Sequence, residues 1–123
     1  MNCLCCLTCI KSIDYENINN TNIDLPNEFT CKVTRIISCN QVLISYYSES
    51  NDDIIYYNIK LNNVKPFIQK KSDAIRALVR FILNKDVIIQ NVSKKDNEIC
   101  CDIIYDNINI NAWLIYNNLA SYN

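Results

Sequence analysis

From Phe29 onward, apolar and polar positions alternate with a period of two, switch for one stretch to a period near 3.6, and then return to two. Cys31-Lys32-Val33-Thr34-Arg35-Ile36-Ile37 predicts a strand over 31–37, QVLISYY a second over 41–47, and IIYYNIKL a third over 54–61. The polar run Ser48-Glu49-Ser50-Asn51-Asp52-Asp53 predicts a hairpin loop between the second and third. A helix then opens at Ser72. Ile75, Leu78, Val79 and Ile82 recur at i, i+3, i+4 and i+7 as its core face, with Arg76 and Arg80 on the other side. Ser72 is the expected N-cap, Asp73 suits the first turn, and Asn84 is the expected C-terminal cap. Strands follow over 86–92 and 99–105, separated by a turn at Lys94-Lys95-Asp96-Asn97. Asp106-Asn107 turns again. Asn109 or Asn111 then caps a last helix through Trp113, Leu114 and Ile115, which closes at Asn117-Asn118. Three strands, a helix, two strands and a helix is the order of a five-stranded Greek-key barrel with two packed helices, a mainly β fold of the α+β kind.

The first 28 residues follow neither period. Residues 1–10 (MNCLCCLTCI) form a Cys-rich tip, residues 11–28 a polar, Asn-rich linker containing Pro26, and residues 29–123 the folded domain. No apolar run reaches the eighteen or so residues that span a bilayer. The tip lacks a basic n-region, and its apolar stretch is too short for a secretory signal. A cytoplasmic, reducing setting is therefore favoured, in which the eight cysteines need not pair.

Composition narrows the chemistry. The 123 residues include no glycine and no histidine. The first zero excludes Gly-rich phosphate loops and dinucleotide fingerprints, and the second excludes Ser-His, Cys-His and His-metal arrangements. The net charge of −1, from 12 basic and 13 acidic residues, lacks the basic excess of a tight nucleic-acid binder. Asn and Ile each occur about twenty times, as AT-rich coding of the kind found in large DNA viruses or intracellular parasites would give. Asn is also the non-glycine residue that best tolerates a left-handed backbone, so turns and helix ends should fall on it.

Four strings then carry a resemblance. Val33-Thr34-Arg35-Ile36-Ile37-Ser38-Cys39-Asn40-Gln41-Val42 is similar to V-x-R-V-x-D-G-D-T-[VI], and Lys60-Leu61-Asn62-Asn63-Val64-Lys65-Pro66 to R-L-x-G-I-D-x-P-E. The helix opened by Ser72 stands where an A-x-x-x-L-x-x-L helix follows. Asn111-Ala112-Trp113-Leu114-Ile115-Tyr116-Asn117-Asn118-Leu119-Ala120 is similar to V-N-x-x-L-[VI]-x-x-G-[LW]-A. These are motifs of the staphylococcal-nuclease-like (thermonuclease) domains, which have an OB-fold barrel. The likeness runs from Thr30 to the C-terminus, with Cys39, Asn63 and Asn118 where the family has turn glycines.

The resemblance implies a chemistry and also its loss. In the family, carboxylates hold calcium, a glutamate positions the attacking water, and two arginines hold the phosphate charge. The first metal carboxylate falls on Asn40, with Ser38 at the other Asp of the turn; the second falls on Lys65. The two arginines fall on Lys60 and Glu98, and the glutamate near Phe67 or Ile68. Residues 60–71 contain no Asp or Glu, so no small shift of alignment restores the set. The expectation is a catalytically degenerate member with no metal site and no cofactor, acting as a binding or structural module.

Two alternatives stay open: non-hydrolytic binding of single-stranded nucleic acid, and weak Ca2+-dependent phosphodiester hydrolysis, the one reading in which calcium enters. Lys65, Lys70, Lys71 and Arg76 are the candidate nucleic-acid contacts, with tyrosines such as Tyr46-Tyr47 as stacking faces; solvated lysines and packed tyrosines are the plainer account. Cys3, Cys5, Cys6 and Cys9 admit three readings. S-acylation would make the protein a peripheral membrane protein. Metal binding is poorly served by thiolates so close in sequence. The third is a tip with no role. Cys100 and Cys101, adjacent on a strand, should point one out and one in, and Cys39 has no histidine to activate it. The interaction classes left open are a protein partner, a weakly held nucleic acid, and a membrane reached through the N-terminal cysteines.

Overall fold

The structure, a computed structural model, describes residues 25–123. Cys3, Cys5, Cys6 and Cys9, with the rest of the expected tip and most of the expected linker, lie outside the described residues. The elements run β1 (Phe29–Ser38), β2 (Gln41–Ser48), β3 (Asp53–Leu61), β4 (Val64–Pro66), α1 (Lys71–Ile82), β5 (Asp86–Lys95), β6 (Glu98–Tyr105), β7 (Ile108–Asn109), α2 (Ile110–Tyr116) and β8 (Ala120–Tyr122). A 3-10 turn, Ile68–Lys70, leads into α1.

Alternating Val, Ile, Cys and Tyr make the strands pair with one face inward. The order β3-β2-β1-β5-β6 is antiparallel at each step. It closes on itself through a parallel pairing of β3 with β6, where Ile59, Lys60 and Leu61 stand opposite Ile99, Cys100 and Cys101. Closure removes the exposed edges that an open sheet would leave. The result is an OB-like five-stranded barrel of the α+β class. β7 extends β6, and β4 pairs with β8 as a separate ribbon, Val64 opposite Tyr122 and Pro66 opposite Ala120.

The core is the inward row of each strand: Cys31 and Val33, Val42 and Ile44, Ile59 and Leu61, Val87 and Ile89, Ile99, Cys101 and Ile103. α1 adds Ala74, Leu78 and Ile82, and α2 adds Ile110 and Leu114. Leu25 packs against this cluster, and Glu28 accepts a hydrogen bond from Gln90 at 2.9 Å, so the last residues before β1 touch the barrel.

Nine described residues hold positive φ, and all are Asp or Asn: Asp52, Asn63, Asn84, Asn91, Asp96, Asn97, Asp106, Asn107 and Asn118. Without glycine, the short polar side chains take the left-handed positions. Asp96-Asn97 and Asp106-Asn107 each supply two consecutive positive φ values, the shape of the two-residue type I′ hairpin. Asn63 and Asn118 hold the shape a glycine would give, whereas Cys39 has no positive φ and is buried.

Three local expectations are corrected, and one open alternative is resolved. Ser72 is not the N-cap: α1 starts at Lys71, and Lys70, preceding it, makes no side-chain cap bond. The core face of α1 is Ala74, Leu78 and Ile82 rather than Ile75, Leu78, Val79 and Ile82; small Ala74 lets the helix approach closely, and Ile75 and Val79 turn outward. β5 runs on to Lys95, so Lys94 and Lys95 lie in a strand and only Asp96-Asn97 turns. Asn109 caps α2, accepting from the Ala112 N–H at 3.0 Å, while Asn111 is buried inside the helix.

Candidate functional site

The parallel β3–β6 contact places the last turn of β3 beside the start of β6. Pairing puts Lys60 opposite Cys100, and Glu98, two residues earlier on β6, falls within reach of the Lys60 ammonium. Lys60 Nζ lies 3.8 Å from Glu98 Oε1, with both side chains partly exposed. Two positions far apart in the chain, which the resemblance assigns to phosphate-holding arginines, are thus brought together as an ion pair.

The pair lines a polar cavity of about 360 Å³, whose other charged side chains are Lys95 and Asp96, with Asn62 and Cys100 in its wall. Two cations face two carboxylates, so the cavity carries little net field. Cys100 is partly exposed there. Burial raises its thiol pKa above the usual value, Glu98 adds to the rise, and Lys60 and Lys95 oppose it. The thiol is therefore held protonated near neutral pH, the reverse of an activated thiolate. Its neighbour Cys101 points into the core, fully buried, and its thiol is raised further, chiefly by burial. Cys31 is pushed up to about 12, by burial first and by Asp86 second.

Asn40 stands in the β1–β2 turn. Its carbonyl accepts the Leu61 N–H at 2.9 Å, and Gln41 pairs with Lys60, so the turn abuts the same end of β3. Ser38 Oγ donates to Asn40 Oδ1 at 3.2 Å, tying to each other the two residues that the resemblance aligns with carboxylates. Lys65 is exposed on β4, outside the cavity lining, and its carbonyl accepts from Ser121 Oγ at 3.5 Å. Lys70 and Lys71 are exposed at the entry to α1, and Arg76 pairs with Asp73 on the outer surface of that helix. Phe67 and Ile68 are also exposed and carry no acidic group.

Asn111, the alternative that does not cap α2, has a role that the sequence pattern does not show. Only 4 % exposed, it reaches from α2 under the cavity. Its amide nitrogen lies 3.1 Å from the carbonyls of both Asn62 and Cys101 and 3.2 Å from Asp102 Oδ1, and its oxygen accepts the Ile103 N–H at 3.2 Å. It fixes the β3–β4 corner to β6. The available signal was the Asn at the head of the string that resembles the family's motif, which offers a cap as readily as a buried bridge.

Among the described residues, no group of three or more Cys, Asp or Glu side chains is arranged to hold a metal ion. Among them too, no helix is long and apolar enough to cross a membrane. No protein-family model matches the chain, and no curated protein matches it.

Proposed function

We propose that this chain is a catalytically silent staphylococcal-nuclease-like domain, an OB-like barrel kept as a binding module and tethered to a membrane by acyl chains on Cys3, Cys5, Cys6 and Cys9. One observation carries the first half: the Lys60–Glu98 pair, 3.8 Å apart in the cavity where the family would hold its phosphate. A carboxylate at position 98 repels a phosphodiester, and it also occupies the cation that would attract one. Asn40 and Lys65 stand in for the metal carboxylates, one neutral and one positive, so neither supplies the charge a calcium ion requires. Removing one electrostatic stabiliser from such a site costs about a hundredfold or more in rate. Removing the whole set leaves no route to the transition state.

Incubation of single- and double-stranded DNA with the purified chain, with and without calcium, tests this half. No metal-dependent cleavage is expected, and cleavage lost in Asn40→Ala or Lys60→Ala would overturn it. The same oligonucleotides in a gel shift address the exposed Lys65, Lys70, Lys71 and Arg76: salt-dependent binding without cleavage would move the module to the nucleic-acid class. Fractionation of a variant with serine at Cys3, Cys5, Cys6 and Cys9 tests the tether, which is wrong if the variant stays with the membranes.

A further inference from the structure

α1 touches the barrel along a narrow line. Ala74, Leu78 and Ile82, at a spacing of four, are its buried residues. Opposite this line stand Asp73, Arg76 and Arg80, but the flanks between them and the buried row carry exposed apolar residues. Ile75 is 36 % exposed, Val79 43 % and Phe81 38 %, and Ile68, in the turn that leads into the helix, is 80 % exposed. Phe81 meets Trp113 of α2 edge-on, ring centroids 4.9 Å apart.

A shallow groove of about 570 Å³ runs past Ile75, Val79, Phe81 and Trp113 and is rimmed by Arg76 and Arg80. A smaller depression of about 120 Å³ shares Phe81 and Trp113 and continues to Ile108 at the β6–β7 tip. Phe81 and Trp113 join the two depressions, which together reach from α1 across α2 to the β6–β7 hairpin, with Asp106 also in the second lining. Contiguous apolar exposure of this kind marks a contact surface.

Charge identifies the occupant. The chain as a whole carries −1, yet residues 70–80 hold Lys70, Lys71, Arg76 and Arg80 against the single carboxylate of Asp73. Cations bordering exposed aliphatic and aromatic side chains on the outer surface of a helix is the pattern of an interfacial helix: the rings and branched chains enter the acyl boundary while Lys and Arg reach back to the headgroups. The apolar groups spread over an open surface of helix, turn and hairpin, which fits a sheet of lipid better than a side-chain-sized plug. We propose that this face of α1, with Trp113 and Ile108, docks on an anionic lipid bilayer. The inference deepens the membrane reading above and rests on it for its setting, but it uses none of the tether's residues. An acyl anchor gains stable attachment from a second, basic contact.

The test uses the full chain produced without acylation and sedimented with phosphatidylcholine vesicles, with and without phosphatidylserine. Binding is expected on the phosphatidylserine vesicles at least ~10-fold above phosphatidylcholine alone, falling as salt rises. Lys71→Glu with Arg80→Glu should lower it ~10-fold or more. Ile68→Ser and Val79→Ser, both at exposed positions, should weaken it several-fold without changing the melting temperature. Equal binding to both vesicles, or charge-reversed protein binding like the parent, overturns the proposal. So does a dimer in sedimentation equilibrium that Val79→Ser dissociates, since a second copy would then own the face. If the unacylated parent binds phosphatidylserine while metabolic labelling in cells finds no acyl chain on Cys3, Cys5, Cys6 or Cys9, the tether is wrong and the face stands. If the parent ignores the vesicles and the four-cysteine variant leaves the membranes, the face is wrong and the tether stands.

Discussion

At the β3–β6 contact, Lys60 stands 3.8 Å from Glu98, and Lys95 and Asp96 share the same cavity. On the outer surface of α1, Lys70, Lys71 and Arg80 are exposed beside Ile75, Val79 and Phe81. The first region answers its own charges and offers little field to an incoming ion. The second has a surplus of cations beside apolar groups that no other described residue covers. A net charge near zero conceals this segregation. The polar cavity balances its charges, whereas the shallower surface of α1 and α2 leaves cations and apolar groups exposed side by side.

The largest expected effect lies beneath the cavity. Asn111→Ala leaves the buried Ile103 N–H and the Cys101 carbonyl without their partner and should cost roughly 3–5 kcal/mol in urea denaturation. A loss below ~1 kcal/mol would mean that the β3–β4 corner is held by other groups. Within α1 the contrast is sharper. Leu78→Ala should cost about 3 kcal/mol because its side chain fills the core, while Val79→Ser, one residue on, should stay within ~0.5 kcal/mol. Comparable losses at both positions would place the outer face in an internal contact.

Smaller effects separate shape from charge. Asn84, at φ 64, ends α1, and Asn84→Ala should cost about 1 kcal/mol while Asn84→Gly is neutral or stabilising. In the cavity, Lys60→Ala should change stability by less than ~1 kcal/mol, since the ion pair is partly exposed. Its chemical effect is easier to read on Cys100. Glu98 raises that thiol and Lys60 lowers it, so Glu98→Gln should bring its pKa down and increase alkylation of Cys100 near pH 8 a few-fold, resolved by peptide mass. Lys60→Ala should do the opposite. Unchanged reactivity in both would show that the two charges do not meet in the cavity.

The barrel strands were legible because each is a short run rich in β-branched and aromatic residues bounded by polar turns, and the turns because a glycine-free chain has mainly Asn and Asp for left-handed positions. The β4–β8 ribbon was not, since it joins residues 64–66 to 120–122 and neither run is long enough to show a period. The orientation of α1 was misread because Ile75 and Val79 share the same spacing as the true core row, and only the small volume of Ala74 distinguishes the two. At the candidate site, the resemblance named Lys60 and Glu98 separately. That they form a pair depends on a parallel contact 38 residues apart, and no local pattern encodes it. The choice between Asn109 and Asn111 as cap stayed open for a chemical reason: the amide that suits an exposed cap also suits a buried bridge, and sequence does not tell burial.

The central claim is that the cavity holds a charge pair in place of phosphodiester chemistry. It is tested most directly by incubating labelled single- and double-stranded DNA with the purified chain in calcium and in chelator. The account expects the two time courses to superimpose. Calcium-dependent cleavage that disappears in Lys60→Ala or Asn40→Ala would contradict it.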